Sequence, residues 1–115
     1  MLPADDRQAL TDMLEHAREA STLCGGRSRA DLDGDRVFQL ASRQLIGIVG
    51  EAAGRVFDHT RAQHPEIPWH QIIGARNRIA HRYDQVDNEI LWQILTTDLP
   101  VLIGQLERAL AEADA

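Results

Sequence analysis

Apolar residues recur along this chain at three- and four-residue steps, which is the period of an α-helix with one buried face. The first such stripe fills residues 5–24 and ends at the Gly25-Gly26 pair, a common helix stop. The second stripe begins at Arg36 and continues to about Ala62. The polar residues 27–35 between the two stripes predict a turn.

Prolines divide the second half of the chain. The segment 64–68 contains two of them and predicts a break, after which a helix runs from Trp69 to about His81. Residues 84–87 predict a connector, 88–95 a further helix, and 97–100 the capped start of a last helix with proline in its first turn. No period-two strand pattern occurs. The sequence therefore predicts an all-α fold, an antiparallel up-and-down bundle of four to five helices that forms one domain over residues 1–115.

Three glycines, Gly47, Gly50 and Gly54, fall within eight residues of the long predicted helix. A glycine inside a helix costs about 0.5–1 kcal/mol relative to alanine. Their number predicts that another helix packs closely on this face. We take the long helix and the helix after Trp69 as the candidate dimer interface, and expect Gly50→Leu to weaken self-association.

Composition limits the possible functions. Twelve basic against eighteen acidic residues give a net charge of −6, which disfavours a nucleic-acid binder that uses its whole surface. A single cysteine, Cys24, permits no internal disulfide, and the His/Cys spacing fits no zinc site. No run approaches the roughly 18 apolar residues of a membrane span, and no secretion signal is recognisable. We expect a cytoplasmic protein that needs no cofactor and no metal.

The candidate chemistry lies in residues 76–83. All twelve basic residues of the chain are arginines, whose planar forks bind phosphate, and three of them are in this stretch. The stretch carries Arg76, Asn77, Arg78, His81, Arg82 and Tyr83. Arginine with histidine and no metal suits attack of an RNA 2′-hydroxyl on the neighbouring phosphate. His81 would move the proton, Arg76 would stabilise the phosphorane, and Asn77 would orient the phosphate or the imidazole.

Helix geometry limits how these side chains can cooperate. Asn77 and His81 are four residues apart and share a helix face. Arg76 and His81 are five apart, about 140° around the helix, so a distorted helix end or a second subunit must bring them together.

The same residues have alternative interpretations. Arg76 and Arg78 could be solvated surface residues, with His81 capping the end of the helix. Tyr83 could be a partly buried tyrosine with one hydrogen bond, and Arg82 either lowers the pKa of the imidazole or holds phosphate.

Residues outside the stretch also have competing roles. Glu51, a possible second-layer partner, either accepts a hydrogen bond from Arg76 or from a partner chain or faces solvent. Trp69 and Trp92 are interpreted as packing anchors, and His59, His64 and His70 as exposed residues.

The spelling Arg-Asn-x-x-x-His-x-Tyr resembles the signature of the HEPN superfamily, and in particular its HepT-like toxin branch. Four further short segments of the chain resemble the same branch: Gly50-Glu51-Ala52-Ala53, Pro68-Trp69, Val86-Asp87 and Asp98-Leu99-Pro100. The resemblance covers about residues 5–113. It implies a homodimer, or a higher oligomer, in which the motifs of two chains share one cleft. It also implies metal-independent endoribonuclease activity, with Arg76, Asn77 and His81 catalytic and Arg78 and Arg82 as possible RNA contacts.

The resemblance further implies a regulatory partner. Members are toxins of type VII-like toxin–antitoxin pairs that cleave RNA such as tRNA or mRNA. A minimal nucleotidyltransferase antitoxin silences them by transferring AMP from ATP to the motif tyrosine, which is Tyr83 in this chain. The alternative is a non-catalytic helical protein that binds a nucleotidyltransferase and serves as its acceptor or docking subunit, and the acidic net charge favours this alternative.

Overall fold

The computed structural model describes the backbone of residues 2–82 and 87–114, and the side chains of these residues except 80–82. This part of the chain is helical and contains no strand, which confirms the predicted all-α class. In chain order, the elements are α1 (Ala4–Cys24), α2 (Arg29–Gly34), α3 (Arg36–Gly54), α4 (Asp58–Gln63), α5 (Trp69–Arg82), α6 (Asn88–Gln93), a π-helical segment (Ile94–Asp98) and α7 (Leu99–Asp114).

The long helices pack as antiparallel neighbours in the order α5, α3, α1, α7. Ion pairs between α1 and α7 show that these two helices run in opposite directions. Arg7 near the start of α1 pairs with Asp114 at the end of α7 at 2.6 Å, and Arg18 pairs with Glu107 at 3.2 Å. Apolar side chains meet in the core between the helices, and the largest fully buried ones include Leu10, Met13, Phe38, Leu91, Leu95 and Leu106.

Two short helices correct the predicted boundaries. The stretch predicted as a polar turn contains α2, because Leu32 is fully buried and the Asp31 carboxylate accepts a hydrogen bond from the Ser28 N–H at 2.7 Å. The long helix ends at Gly54 and not near Ala62, and α4 follows as a separate element.

A buried carboxylate explains the break between α3 and α4. Asp6 of α1 accepts hydrogen bonds from the Phe57 N–H at 3.2 Å and from the Thr60 hydroxyl at 2.5 Å. Asp6 and Thr60 are both almost completely buried. In a continuous helix, the Phe57 N–H would donate to a carbonyl of the same helix. Here it donates to the Asp6 carboxylate of α1, and α3 ends before it.

The last helix begins at Leu99 with Pro100 in its first turn, as predicted, but no break separates it from the helix before: α6, the π-helical segment and α7 follow one another directly. The Leu99 N–H bonds to the carbonyl of Ile94, five residues back, in a π-helical turn. Pro100 has no N–H to donate and its ring would clash with the preceding turn of an α-helix. The wide turn accommodates the proline, so residues 88–114 form one helical rod, which we call the α6–α7 rod.

The break before α5 is as predicted. Trp69 is buried, and its Nε1 donates to the carbonyl of His64 at 3.1 Å, which confirms its interpretation as a packing anchor. This anchor fixes where the motif helix begins. Among the described residues, no helix is both long enough and apolar enough to span a membrane.

Gly50 is the point of closest approach between α3 and α5. A Cβ atom added at Gly50 would lie 2.2 Å from Cβ of Arg76 and 2.9 Å from the carbonyl oxygen of Ile72. The predicted close packing therefore exists at Gly50, but the neighbour is α5 of the same chain. At Gly47 and Gly54 an added Cβ would meet nothing within 4 Å. The close approach at Gly50 is thus made within one protomer, and the dimer interface on α3 and α5 stays a prediction.

Candidate functional site

The motif helix α5 borders two grooves. On one side, a groove of about 370 Å³ separates it from α3; we call it the α3–α5 groove. On the other side, a groove of about 480 Å³ separates it from the α6–α7 rod; we call it the α5–α7 groove. The α3–α5 groove is lined by Leu40, Arg43, Gln44, Gly47, Ile48, Glu51, Arg76 and Ile79.

Arg76 lies in the α3–α5 groove, where the close packing at Gly50 fixes the base of its side chain. The side chain is half-buried, and its Nη1 donates a long hydrogen bond of 3.4 Å to Oδ1 of Asn77. Asn77 is exposed. No carboxylate of the described residues pairs with Arg76, so its guanidinium keeps donors for an anionic ligand.

Glu51 borders the same groove but is exposed. Of its predicted alternatives, the hydrogen bond from Arg76 does not form among the described residues. Glu51 therefore faces solvent within one protomer, and its contact with a partner chain stays a prediction.

Arg78 lies on the opposite side of α5 from Arg76. It is exposed and borders the α5–α7 groove, together with Asp98 and Glu66. Arg76 and Arg78 are two residues apart, which is about 200° around a helix. One phosphate cannot be held by both side chains of the same protomer.

The remaining motif residues have no described side chains. The backbone of α5 extends through His81 and Arg82, and Tyr83 lies outside the described residues together with 84–86. The catalytic role of His81, the phosphate contact of Arg82 and the modification of Tyr83 therefore stay predictions.

Sequence reasoning missed Arg43. This α3 residue lines the groove opposite Arg76 and is only 8% exposed. Its Nε has no hydrogen-bond partner. A signal was available in the sequence, since Arg43 precedes Gly47 and Gly50 by four and seven residues and so shares the face that α5 approaches.

Other candidate chemistry has structural explanations. His59 and His70 are exposed as predicted, whereas the prediction was wrong for His64, which is half-buried with its Nδ1 3.6 Å from the Glu66 carboxylate. Burial raises the pKa of the Cys24 thiol, which makes it a poor nucleophile. In the described part of the chain, no three His, Cys, Asp or Glu side chains come close enough to hold a metal ion.

Comparison with known proteins gives a family match. The family model described as "Ribonuclease HepT-like" matches residues 13–109, which include the motif as far as Tyr83 and both helices of the α3–α5 groove. No solved structure matches the chain.

Two curated proteins illustrate the similarity. The chain is 33% identical over 101 residues to "Probable ribonuclease HepT" of Thermococcus cleftensis, covering 84% of this chain and 92% of the relative. It is 26% identical over 107 residues to "Putative RNase MJ1380" of Methanocaldococcus jannaschii, covering 93% and 98%. The family match spans most of the chain, including helix α5, which carries Arg76 and His81. The chain therefore belongs to the HepT-like ribonuclease family of the HEPN superfamily.

Proposed function

We propose that the protein is a metal-independent endoribonuclease and the toxin of a type VII-like toxin–antitoxin pair. The observation that carries the proposal is the position of Arg76. It is a half-buried arginine of the motif, it faces an open groove, and no carboxylate of the described residues neutralises it. Membership in the HepT-like family, with relatives named as ribonucleases, supports RNA as the anionic ligand.

The reaction needs one base, one acid and one cation. A neutral His81 removes the proton from the ribose 2′-hydroxyl, and an imidazole has an unperturbed pKa of about 6.5, which suits this transfer near neutral pH. The 2′-oxygen forms a bond to phosphorus while the bond from phosphorus to the 5′-oxygen breaks. A protonated imidazole gives its proton to the departing oxygen. The products are a 2′,3′-cyclic phosphate and a 5′-hydroxyl.

Arg76 acts on the charge that develops during this reaction. Its guanidinium donates to the equatorial oxygens of the phosphorane, a contribution of about 3 kcal/mol for one well-placed donor. Asn77 lies beside it and orients the phosphate. The chain supplies these groups itself, so the reaction proceeds without a metal.

The active unit is a homodimer in this proposal. Arg76 and His81 of one helix diverge by about 140°, whereas a second copy can place its own His81 opposite Arg76. Apolar residues at the N-terminal end of α3 support this arrangement, since Val37 is 76% and Leu40 is 45% exposed. Leu40 also borders the groove, so a partner that covers it also closes the site.

Silencing by adenylylation of Tyr83 belongs to the same proposal. An AMP group two residues after His81 adds bulk and negative charge where RNA phosphates bind. Co-expression with a minimal nucleotidyltransferase antitoxin should add the mass of one or more AMP groups to the chain. Tyr83→Phe should prevent the addition and leave the ribonuclease active in the presence of the antitoxin.

Growth on expression of this chain alone tests the proposal in cells. We expect arrest, and relief of the arrest by His81→Ala. Arg108→Ala, which removes an exposed cation on α7, should arrest growth as the parent does. Normal growth with a soluble, unadenylylated parent would instead favour the non-catalytic partner of a nucleotidyltransferase.

A further inference from the structure

Arg43 combines burial with an absence of counter-charge. Among the arginines whose side chains the structure describes, Arg43 alone is buried. Its Nε has no hydrogen-bond partner, and no carboxylate of the described residues pairs with it. Burial of an uncompensated charge is costly, because water is lost without replacement.

Ten other arginines have described side chains; half of them have no carboxylate partner among the described residues, and these are exposed apart from the half-buried Arg76. The other five, all at the surface, form ion pairs with aspartate or glutamate: Arg7, Arg18, Arg29, Arg55 and Arg61. Acidic residues outnumber basic ones by eighteen to twelve, so carboxylates are plentiful. Arg43 differs from the exposed arginines without a carboxylate partner because it is buried at a groove, and this position favours a counter-charge supplied by a ligand.

The position of Arg43 identifies the kind of ligand. Arg43 from α3 and Arg76 from α5 line the same groove from facing helices. Gly47, one turn after Arg43, leaves the groove open between them. Leu40, Ile48 and Ile79 supply apolar walls, and the exposed Glu51 carboxylate borders the same groove. Two arginine forks in such a groove match the oxygens of a phosphate.

We propose that Arg43 and Arg76 form a two-arginine site for a phosphate-class anion in the α3–α5 groove. This site binds the RNA substrate of the ribonuclease function proposed above, and the identity of its ligand rests on that function. Arg76 holds the phosphodiester that is cleaved, and Arg43 holds a neighbouring phosphodiester of the same RNA strand. Arg43 is therefore a substrate-binding residue that sets the register of the RNA.

Binding of an uncleavable RNA tests the site directly. A 2′-O-methyl oligoribonucleotide has the phosphates but no free 2′-hydroxyl, so it measures binding without reaction. Arg43→Met should weaken its affinity on the order of 10- to 100-fold, since it removes one charge-assisted hydrogen bond to phosphate. The slope of log affinity against log salt should become shallower by about 0.7, as expected when a protein neutralises one phosphate fewer on a single strand. Equal affinity and slope in parent and variant would overturn the proposal.

Matched variants isolate the effect. Arg108→Met removes an exposed cation on α7 and should change the affinity by less than twofold, within about 0.4 kcal/mol. Gly47→Leu should fill the groove and weaken binding while it leaves both arginines in place. Arg43→Lys keeps the charge without the planar fork, and should bind with an affinity between those of parent and Arg43→Met.

Thermal unfolding separates a ligand site from a structural arginine. In phosphate-free buffer, Arg43→Met should be at least as stable as the parent, because an apolar side chain replaces an uncompensated buried cation. Added inorganic phosphate should raise the Tm of the parent and not that of Arg43→Met. A large fall in Tm with unchanged oligonucleotide affinity would make Arg43 a structural residue and refute the site.

The two-arginine site and the ribonuclease function can fail separately. If the parent binds the uncleavable RNA through Arg43 but cleaves no RNA, the site stands and the catalytic proposal fails. If Arg43→Met cleaves RNA with the KM and kcat of the parent, the ribonuclease function stands and the two-arginine site fails. His81→Ala should retain binding in either case.

Discussion

A single missing side chain at Gly50 sets the distance between the motif helix and α3. The space that a Cβ would need is occupied by Cβ of Arg76 and by the carbonyl of Ile72. We expect Gly50→Ala to force the helices apart and to lower the free energy of unfolding by about 1–3 kcal/mol, as overpacking does.

Gly47→Ala is the matched control for that change. It lies on the same helix, with nothing within 4 Å of the added Cβ, and should stabilise the protein by about 0.5–1 kcal/mol through better helix propensity. Urea unfolding of both variants measures the difference. If Gly50→Ala were as stable as Gly47→Ala, the helices would not meet at this residue.

Cys24 provides a second prediction at the residue scale. The thiol is buried, and burial raises its pKa, so little thiolate is present at neutral pH. We expect an aromatic disulfide reagent at pH 7.5 to modify the native protein on the order of 100-fold more slowly than the urea-unfolded chain, since reaction requires opening of the structure. Equal rates in the two states would show that the end of α1 is open.

How far single residues could be predicted depends on where their signal lies. Arg76 and Asn77 stand in a recognisable spelling, and the structure places Arg76 at a groove with Asn77 hydrogen-bonded to it. Arg43 stands outside that spelling, between Ser42 and Gln44, and its importance depends on which face α5 covers. That contact is tertiary, so helical periodicity alone could not identify it.

At the scale of elements, the buried Asp6 holds α4 against α1. Its carboxylate accepts from Phe57 N–H and from the Thr60 hydroxyl. Asp6→Ala should leave both donors without a partner and lower the free energy of unfolding by about 2–4 kcal/mol.

Asp5→Ala is the control for the removal of negative charge at the helix start. Asp5 is exposed in the same first turn, so its replacement should cost less than about 1 kcal/mol. Chemical unfolding monitored by circular dichroism compares the two variants. Equal losses would assign the effect to the helix dipole and remove the special role of Asp6.

The elements that sequence reasoning missed share a physical cause. The start of α3 and the break before α5 follow from local periodicity and proline, and they were predicted correctly. The end of α3 depends on Asp6, about fifty residues earlier in the chain. The π-helical segment Ile94–Asp98 keeps the α6–α7 rod continuous where local sequence favours a break, and its Leu95 is buried in the core. Long-range contacts decided both.

At the scale of the whole molecule, the acidic bundle brings its buried Arg43 and the motif residue Arg76 to one groove. The net charge is −6, yet Arg43 and Arg76 face each other across the α3–α5 groove. This charge pattern favours a local anion site over a broad basic surface.

If the dimer forms at the α3–α5 groove, the exposed N-terminal end of α3 lies in its interface. Leu40→Glu should reduce the mass measured by light scattering from dimer to monomer, because a charge would be buried in the interface. Val101→Glu is the control, since Val101 is 59% exposed on α7 at the other groove. The reverse result, with Val101→Glu disrupting the dimer, would move the interface to the α5–α7 groove.

Cleavage of total tRNA in EDTA tests the central claim most directly. The unadenylylated parent should produce fragments that end in 2′,3′-cyclic phosphate and begin with 5′-hydroxyl. His81→Ala should form the same dimer and produce none, and Arg76→Ala should lose on the order of 100-fold in rate, about 3 kcal/mol of transition-state stabilisation. Intact tRNA after incubation with the parent dimer, or fragments that persist with His81→Ala, would contradict the account.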